Sequence, residues 1–144
     1  YETPYRWAHF EDIPFTPPAK PLGECRVGLV TTSELAVRDD PRARPDDDLQ
    51  REVYSLPSDV PVERFYSRKA AYDRYATTLD DVDSYLPLTR LRELVAAGRA
   101  GGLGPRVHVI YSEYSQRKTM EVDAPQVLQR CREDGVDAVL LFAV

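Results

Sequence analysis

The residues of this chain with the most direct chemistry are two cysteines, two histidines and a scatter of serines. Cys25 and Cys131 lie far apart, and no Cys-x-x-Cys pair occurs, so a redox dithiol would need two distant segments to meet. A reactive thiolate requires a partly exposed, electropositive setting. The inward helical position expected for Cys131 favours a packed thiol instead. Their separation and placement predict no disulfide between them. His9 lies in an aromatic stretch beside Phe10-Glu-Asp12, and His108 stands between Val107 and Val109, where alternation turns it away from both. Either histidine has the chemistry of a base or a ligand, and a hydrogen-bonded structural role is the expectation for both. Two histidines and two dispersed cysteines give no zinc spacing, so no metal site is predicted. No Gly-x-Ser-x-Gly elbow is present, and the serines show no hydrolase context.

The remaining polar clusters have plain readings. Gly101-Gly-Leu-Gly104 follows a helical pattern and precedes a strand, the reverse of a phosphate-binding loop, so a turn is expected. Asp46-Asp-Asp48 has the charge to hold a hard cation, but Arg42, Arg44 and Arg51 neutralise it, and a solvated loop over 38–51 is the reading. Asp80, Asp81 and Asp83 place negative charge ahead of a helix, where it is favourable. Tyr66, Tyr72, Tyr75 and Tyr85 suit either a cation–π pocket for a small amine or a core with wet hydroxyls.

The elements that must position these groups follow from periodicity. Arg26–Thr31 reads as a short buried strand, Val62–Tyr66 as a further candidate, and Arg106–Tyr111 as another. Leu88, Leu91, Leu94 and Val95 form a helical stripe that ends at Gly98 and the glycine run. Asp123 is the expected N-cap of a second helix, with Pro125 in its first turn, Val127, Leu128 and Cys131 inward, and Gly135 as its stop. Val136–Val144 is a near-continuous apolar strand, the pattern of a parallel sheet covered on both faces. The fold class is therefore α/β: a mostly parallel open sheet flanked by helices. Val27, Leu29, Leu91, Leu94, Val109, Leu128, Val139 and Leu141 are expected to share its core. Residues 1–22, with five prolines and five large aromatics in the first 21 positions, read as an extended arm lying across a surface; residues 23–144 read as the α/β domain.

Composition bounds the function. The chain has 144 residues, 42% hydrophobic and 30% charged, with a net charge of −5. That excludes a disordered tail and argues against nucleic-acid binding, which needs a basic face. No apolar run approaches the roughly 20 residues of a membrane helix. Sparse cysteine usage points to a reducing cytoplasm. No glycine-rich turn follows the first strand, which disfavours a doubly wound nucleotide binder.

Several segments together resemble the selenoprotein B family of glycine, sarcosine, betaine and D-proline reductases. They are Val27-Gly-Leu-Val-Thr-Thr-Ser33, Leu56-Pro-Ser-Asp59, Tyr72-Asp73, Leu86-Pro-Leu-Thr-Arg-Leu-Arg-Glu-Leu94, Gly98 and Asp134-Gly-Val-Asp-Ala-Val-Leu-Leu141, in the family's order. The resemblance implies reductive cleavage of a C–N bond in a small amine or amino acid. In that chemistry a selenolate or thiolate attacks the α-carbon and displaces the amine, often with a carbonyl-bearing partner subunit. It places the Cys or selenocysteine nucleophile beyond Val144, so the chain is expected to be the first part of a larger subunit, and no cofactor is expected within it. Family histidines ahead of Tyr72-Asp73 are replaced here by Lys69, Ala70 and Ala71. A protein partner or homo-oligomer is implied. The alternative is a non-catalytic assembly or regulatory subunit of the same fold that binds a partner through its N-terminal arm. If the family chemistry is present, the substrate pocket is expected at the carboxyl ends of the parallel strands, where small ligands bind. Thr31, Thr32 and Ser33 would orient the substrate there, with Tyr111 and Ser112 as a second wall.

Overall fold

The computed structural model describes residues 9, 11–12, 16–40, 52–69, 75–76, 78–111 and 115–144. Much of the expected arm, the acidic loop at 41–51, Tyr72-Asp73 and Ser112 thus lie outside the described residues. Among the described residues six strands form two sheets: β1 (Arg26–Thr31), β2 (Leu35–Val37), β3 (Tyr54–Pro57), β4 (Phe65–Ser67), β5 (Gly102–Val109) and β6 (Ala138–Phe142). The larger sheet has the order β3-β5-β1-β6, and β2 pairs with β4 in a smaller one. β1 is parallel to both β5 and β6, while β3 is antiparallel to β5 and β2 to β4. The helices are α1 (Leu88–Ala96), α2 (Gln116–Lys118) and α3 (Ala124–Glu133). The expected α/β class and the parallel pairing of first and last strands are both present.

Two apolar clusters follow from strand alternation. Val27, Leu29, Val107 and Val109 meet Leu88 and Leu91 of α1 together with Leu35, Val37 and Phe65 of the small sheet. On the other cluster, Val30 and Val53 meet Val127 and Cys131 of α3. α1 is capped as its acidic lead-in suggests: the Asp83 carboxylate accepts the Thr89 N–H at 2.9 Å. It stops before Gly98, whose φ of 68° is in the left-handed region.

The structure corrects several local expectations. β3 was not anticipated at all, and Val62–Arg64 is a 3-10 turn, so the expected strand over Val62–Tyr66 starts only at Phe65. The glycine run is only partly a turn, because β5 begins at Gly102. Gly101 packs against the preceding chain so closely that a Cβ would sit 2.4 Å from the Glu24 carbonyl carbon. Asp123 is not a helix cap. It has helical dihedrals, is buried, and its carboxylate lies 3.3 Å from Lys118 Nζ. The helical run starts at Gln116, with Ser115 Oγ accepting the Lys118 N–H, and passes through a π-turn at Thr119–Asp123. Pro125 explains that turn, since it has no N–H to donate and its ring needs the extra room that a widened turn supplies.

The largest correction concerns the core. Val27, Leu29, Leu91 and Val109 are buried, and Leu94 is partly buried against the same cluster. Leu128, Val139 and Leu141 are 50%, 39% and 73% exposed. The reason is sheet order: β6 is an edge strand whose outer flank has no neighbour among the described residues, and α3 spends its Val127 and Cys131 on Val30 and Val53, leaving Leu128 uncovered. An apolar pattern records a need for cover and not what supplies it.

The two environments predict different costs for the same truncation. Leu88→Ala should lower unfolding free energy by about 2–5 kcal/mol. Leu141→Ala should change it by less than about 0.5 kcal/mol. Chemical denaturation of both variants is the measurement, and equal losses would contradict this core assignment.

Candidate functional site

Parallel pairing sets Thr31 of β1 opposite both Val109 of β5 and Phe142 of β6, so the carboxyl ends of the three strands share one edge. Ladder hydrogen bonds continue past the strand ends, from Ile110 N–H to Thr31 O at 2.9 Å and from Thr32 N–H to Phe142 O at 3.1 Å. Thr31, Thr32, Ser33 and Tyr111 therefore lie at this edge. Ser112 lies outside the described residues.

The three hydroxyls differ in accessibility. Thr31 and Ser33 are fully buried, their oxygens 3.0 Å apart, and Thr31 Oγ1 also accepts the Ser33 N–H at 3.2 Å. Those groups build the rim from within. Thr32 is half-buried, and its Oγ1 accepts the Val144 N–H at 3.1 Å. The chain then reverses at Glu34, a non-glycine residue with φ 51°, into the β2–β4 pair that folds over this edge.

That fold-over delivers Lys69, which composition and spacing did not single out as chemical. Ser67 Oγ donates to Ser33 O and accepts the Lys69 N–H at 3.1 Å, which fixes the backbone of the lysine beside the rim. Lys69 is 6% exposed, and its ammonium donates to Thr32 O at 3.4 Å and to Val144 O. Burial pulls its pKa below the ordinary lysine value, against the opposing pull of the Glu34 carboxylate. No Asp or Glu side chain among the described residues forms a salt bridge with it.

A second polar group lies on the α3 side of the same sheet. His108 is fully buried and pairs in register with Ser55 of β3, with Nδ1 2.9 Å from Ser55 Oγ. Its Nε2 is 3.4 Å from Asp134 Oδ2, an electrostatic contact without hydrogen-bond geometry. Asp134 is clasped by Arg106, whose Nε lies 2.9 and 3.0 Å from its two oxygens. Arg130 Nη1 donates to Ser55 Oγ at 2.9 Å. Burial pushes the His108 pKa below the ordinary histidine value, more than Asp134 raises it. The hydrogen-bonded role expected for His108 is present. Its partners were not legible, because Ser55, His108 and Asp134 come from three separated segments with no spacing signature.

The other candidates stay apart. Both cysteines are free and buried, and burial raises the Cys131 pKa, which keeps it a thiol. Tyr75 is fully exposed, Tyr85 is buried, and Tyr66 lies under the Arg38 guanidinium at 5.0 Å, so these three form no common amine pocket. His9 is exposed. No group of His, Cys, Asp and Glu able to hold a metal occurs among the described residues. No helix among them is long and apolar enough to cross a membrane.

Comparison with known proteins turns this geometry into a family assignment. The family model described as glycine/sarcosine/betaine reductase selenoprotein B matches residues 1–144. The chain belongs to this selenoprotein B family. D-proline reductase subunit gamma of Acetoanaerobium sticklandii is 28% identical over 138 residues, covering 91% of this chain and 56% of that relative. The chain thus spans just over half the length of this curated family relative. No solved structure matches it.

The environments of two lysines set an order of titration in this family member. Lys20 is held above the ordinary lysine value by its hydrogen bond to Asp137, at 2.8 Å. In a pH titration of reductively methylated lysines followed by NMR, Lys69 should lose its proton before Lys20. The reverse order would show that the Lys69 amine is solvated.

Proposed function

We propose that this chain is part of a reductase subunit that cleaves a C–N bond reductively in a small amino acid or its N-methyl derivative. The reading is supported most directly by a family match over the whole chain, combined with a site edge at which three parallel strands end beside a buried lysine. The nucleophile, a Cys or selenocysteine, is supplied from outside residues 1–144.

In this reading each group of the chain has a positioning task. Lys69 binds the substrate carboxylate, exchanging main-chain carbonyl partners for an anion in a setting where few other groups compete. Thr32 offers a half-buried hydroxyl at the same edge, and Thr31 and Ser33 hold the rim in shape through their mutual hydrogen bonds. Tyr111 walls the far side. The edge is built on the ends of paired strands, so it is rigid enough to present the α-carbon in a fixed direction to an incoming nucleophile.

The test uses the polypeptide as its gene encodes it, purified with its reductase partners. Dithiol-dependent amine release from glycine, sarcosine and betaine, and ring opening of D-proline, are the readouts. One of these should be turned over. Lys69→Met should raise KM for that substrate about tenfold to a hundredfold, the worth of one lost charge-assisted hydrogen bond. Turnover with unchanged KM in the variant would remove Lys69 from the site. Absence of turnover with all four would overturn the reductase reading.

A further inference from the structure

We propose that Ser55, at the floor of the cleft between β3 and α3, is an acyl-accepting nucleophile that uses His108 as its base and takes short, polar acyl esters as substrates. This site is separate from the carboxyl edge and does not rest on the reductase reading.

Three observations converge on Ser55. First, its Oγ is 2.9 Å from His108 Nδ1. Nδ1 accepts the serine proton only when the ring proton sits on Nε2, and Asp134 Oδ2 faces Nε2 at 3.4 Å, which favours that tautomer. The contact is longer than a formed hydrogen bond, as is common before substrate binds. Second, Arg130 Nη1 donates to the same Oγ at 2.9 Å, where a cation favours loss of the hydroxyl proton to His108. Arg130 makes no salt bridge among the described residues. Third, Ser55 opens onto a cleft of about 720 Å³, so the serine of this pair is reachable while the histidine is buried. A pair serving the fold alone needs neither a cleft nor a cation at the hydroxyl.

The step balances without a redox partner. Ser55 Oγ bonds to the acyl carbon as its proton passes to His108 Nδ1. The ester C–O bond then breaks, and the alcohol leaves with that proton. Water attacks the acyl-serine, giving its proton back through His108, and the carboxylic acid and free serine are restored. Glu52, Gln126, Gln129, Arg130 and Glu133 line the cleft beside Val53 and Tyr54, so a short acyl group meets polar partners at most of its positions.

A fluorophosphonate probe followed by intact mass and peptide mapping tests the nucleophile directly. One label on Ser55 of the folded wild-type chain supports the proposal; no label on Ser55 overturns it. Hydrolysis of p-nitrophenyl acetate should exceed that of the decanoate, and Ser55→Ala should lower the acetate rate about 100-fold while circular dichroism is unchanged. A folded Ser55→Ala variant with the wild-type rate would also overturn it. Asp134→Asn tests positioning. Of the charged groups around His108 (Arg106, Arg130, Glu133 and Asp134), Asp134 is the strongest favouring the imidazolium. The acidic limb of the pH–rate profile should therefore move to lower pH in this variant. An unmoved limb would assign Asp134 to the fold only and overturn its part in the site.

Discussion

The structure depends on β1 being hydrogen-bonded on both sides to parallel strands that arrive from later in the chain. Its inner positions are small or branched, and Gly28 leaves space that Val136 occupies, with a Cβ there meeting Val136 Cγ1 at 3.0 Å. Arg26 ties the start of the same strand to β6, its N–H bonding Asp137 Oδ2 at 2.8 Å while its guanidinium reaches Asp134 O at 2.9 Å. With β1 held this way, the register of β5 and β6 is set. That register alone aligns Thr31, Val109 and Phe142 along one edge.

Two polar assemblies follow from that register, and they obey the same constraint. Buried polar groups are mostly partnered; His108 Nε2, facing Asp134 at 3.4 Å without hydrogen-bond geometry, is the exception here. At the carboxyl edge, Thr31, Ser33, Ser67 and Lys69 satisfy one another and the ends of the strands. On the α3 side, a chain of contacts runs from Arg130 through Ser55 and His108 to Asp134 and Arg106. Each assembly joins segments distant in sequence, so each also ties the sheet to the layers that cover it. Each holds one cation that forms no salt bridge with an Asp or Glu side chain among the described residues: the Lys69 ammonium in one and the Arg130 guanidinium in the other.

The edge strand β6 shows the other side of the constraint. Ala138–Phe142 is wholly apolar, with no lysine, proline or charge to blunt its free flank. The strand's inner flank is saturated by β1, whereas Leu141 is the most exposed of its side chains. An exposed apolar edge of this kind is unusual for a surface that faces only water.

Local pattern by itself determined the α/β class, β1 to the residue, α1 from the stripe Leu88–Leu91–Leu94, its end at Gly98, and the parallel sense of the first and last strands. These are legible because they rest on periodicity, backbone sterics at glycine and the burial demand of apolar runs, all of which act over a few residues. The placement of Thr31, Thr32, Ser33 and Tyr111 at one edge was legible for the same reason, once the strands were parallel. Tertiary structure decided what periodicity does not encode. β3 is short and carries Ser55 and Pro57, so only its pairing with β5 makes it a strand. Asp123 fell inside a longer helical run, because a π-turn absorbs Pro125. Leu128, Val139 and Leu141 share the apolar signature of buried residues, yet the position of β6 at the sheet margin exposes them. Lys69 and the Ser55–His108–Asp134 group acquired their chemistry only when distant segments met, since hydrogen bonds and burial are set by proximity in space and leave no spacing in the sequence.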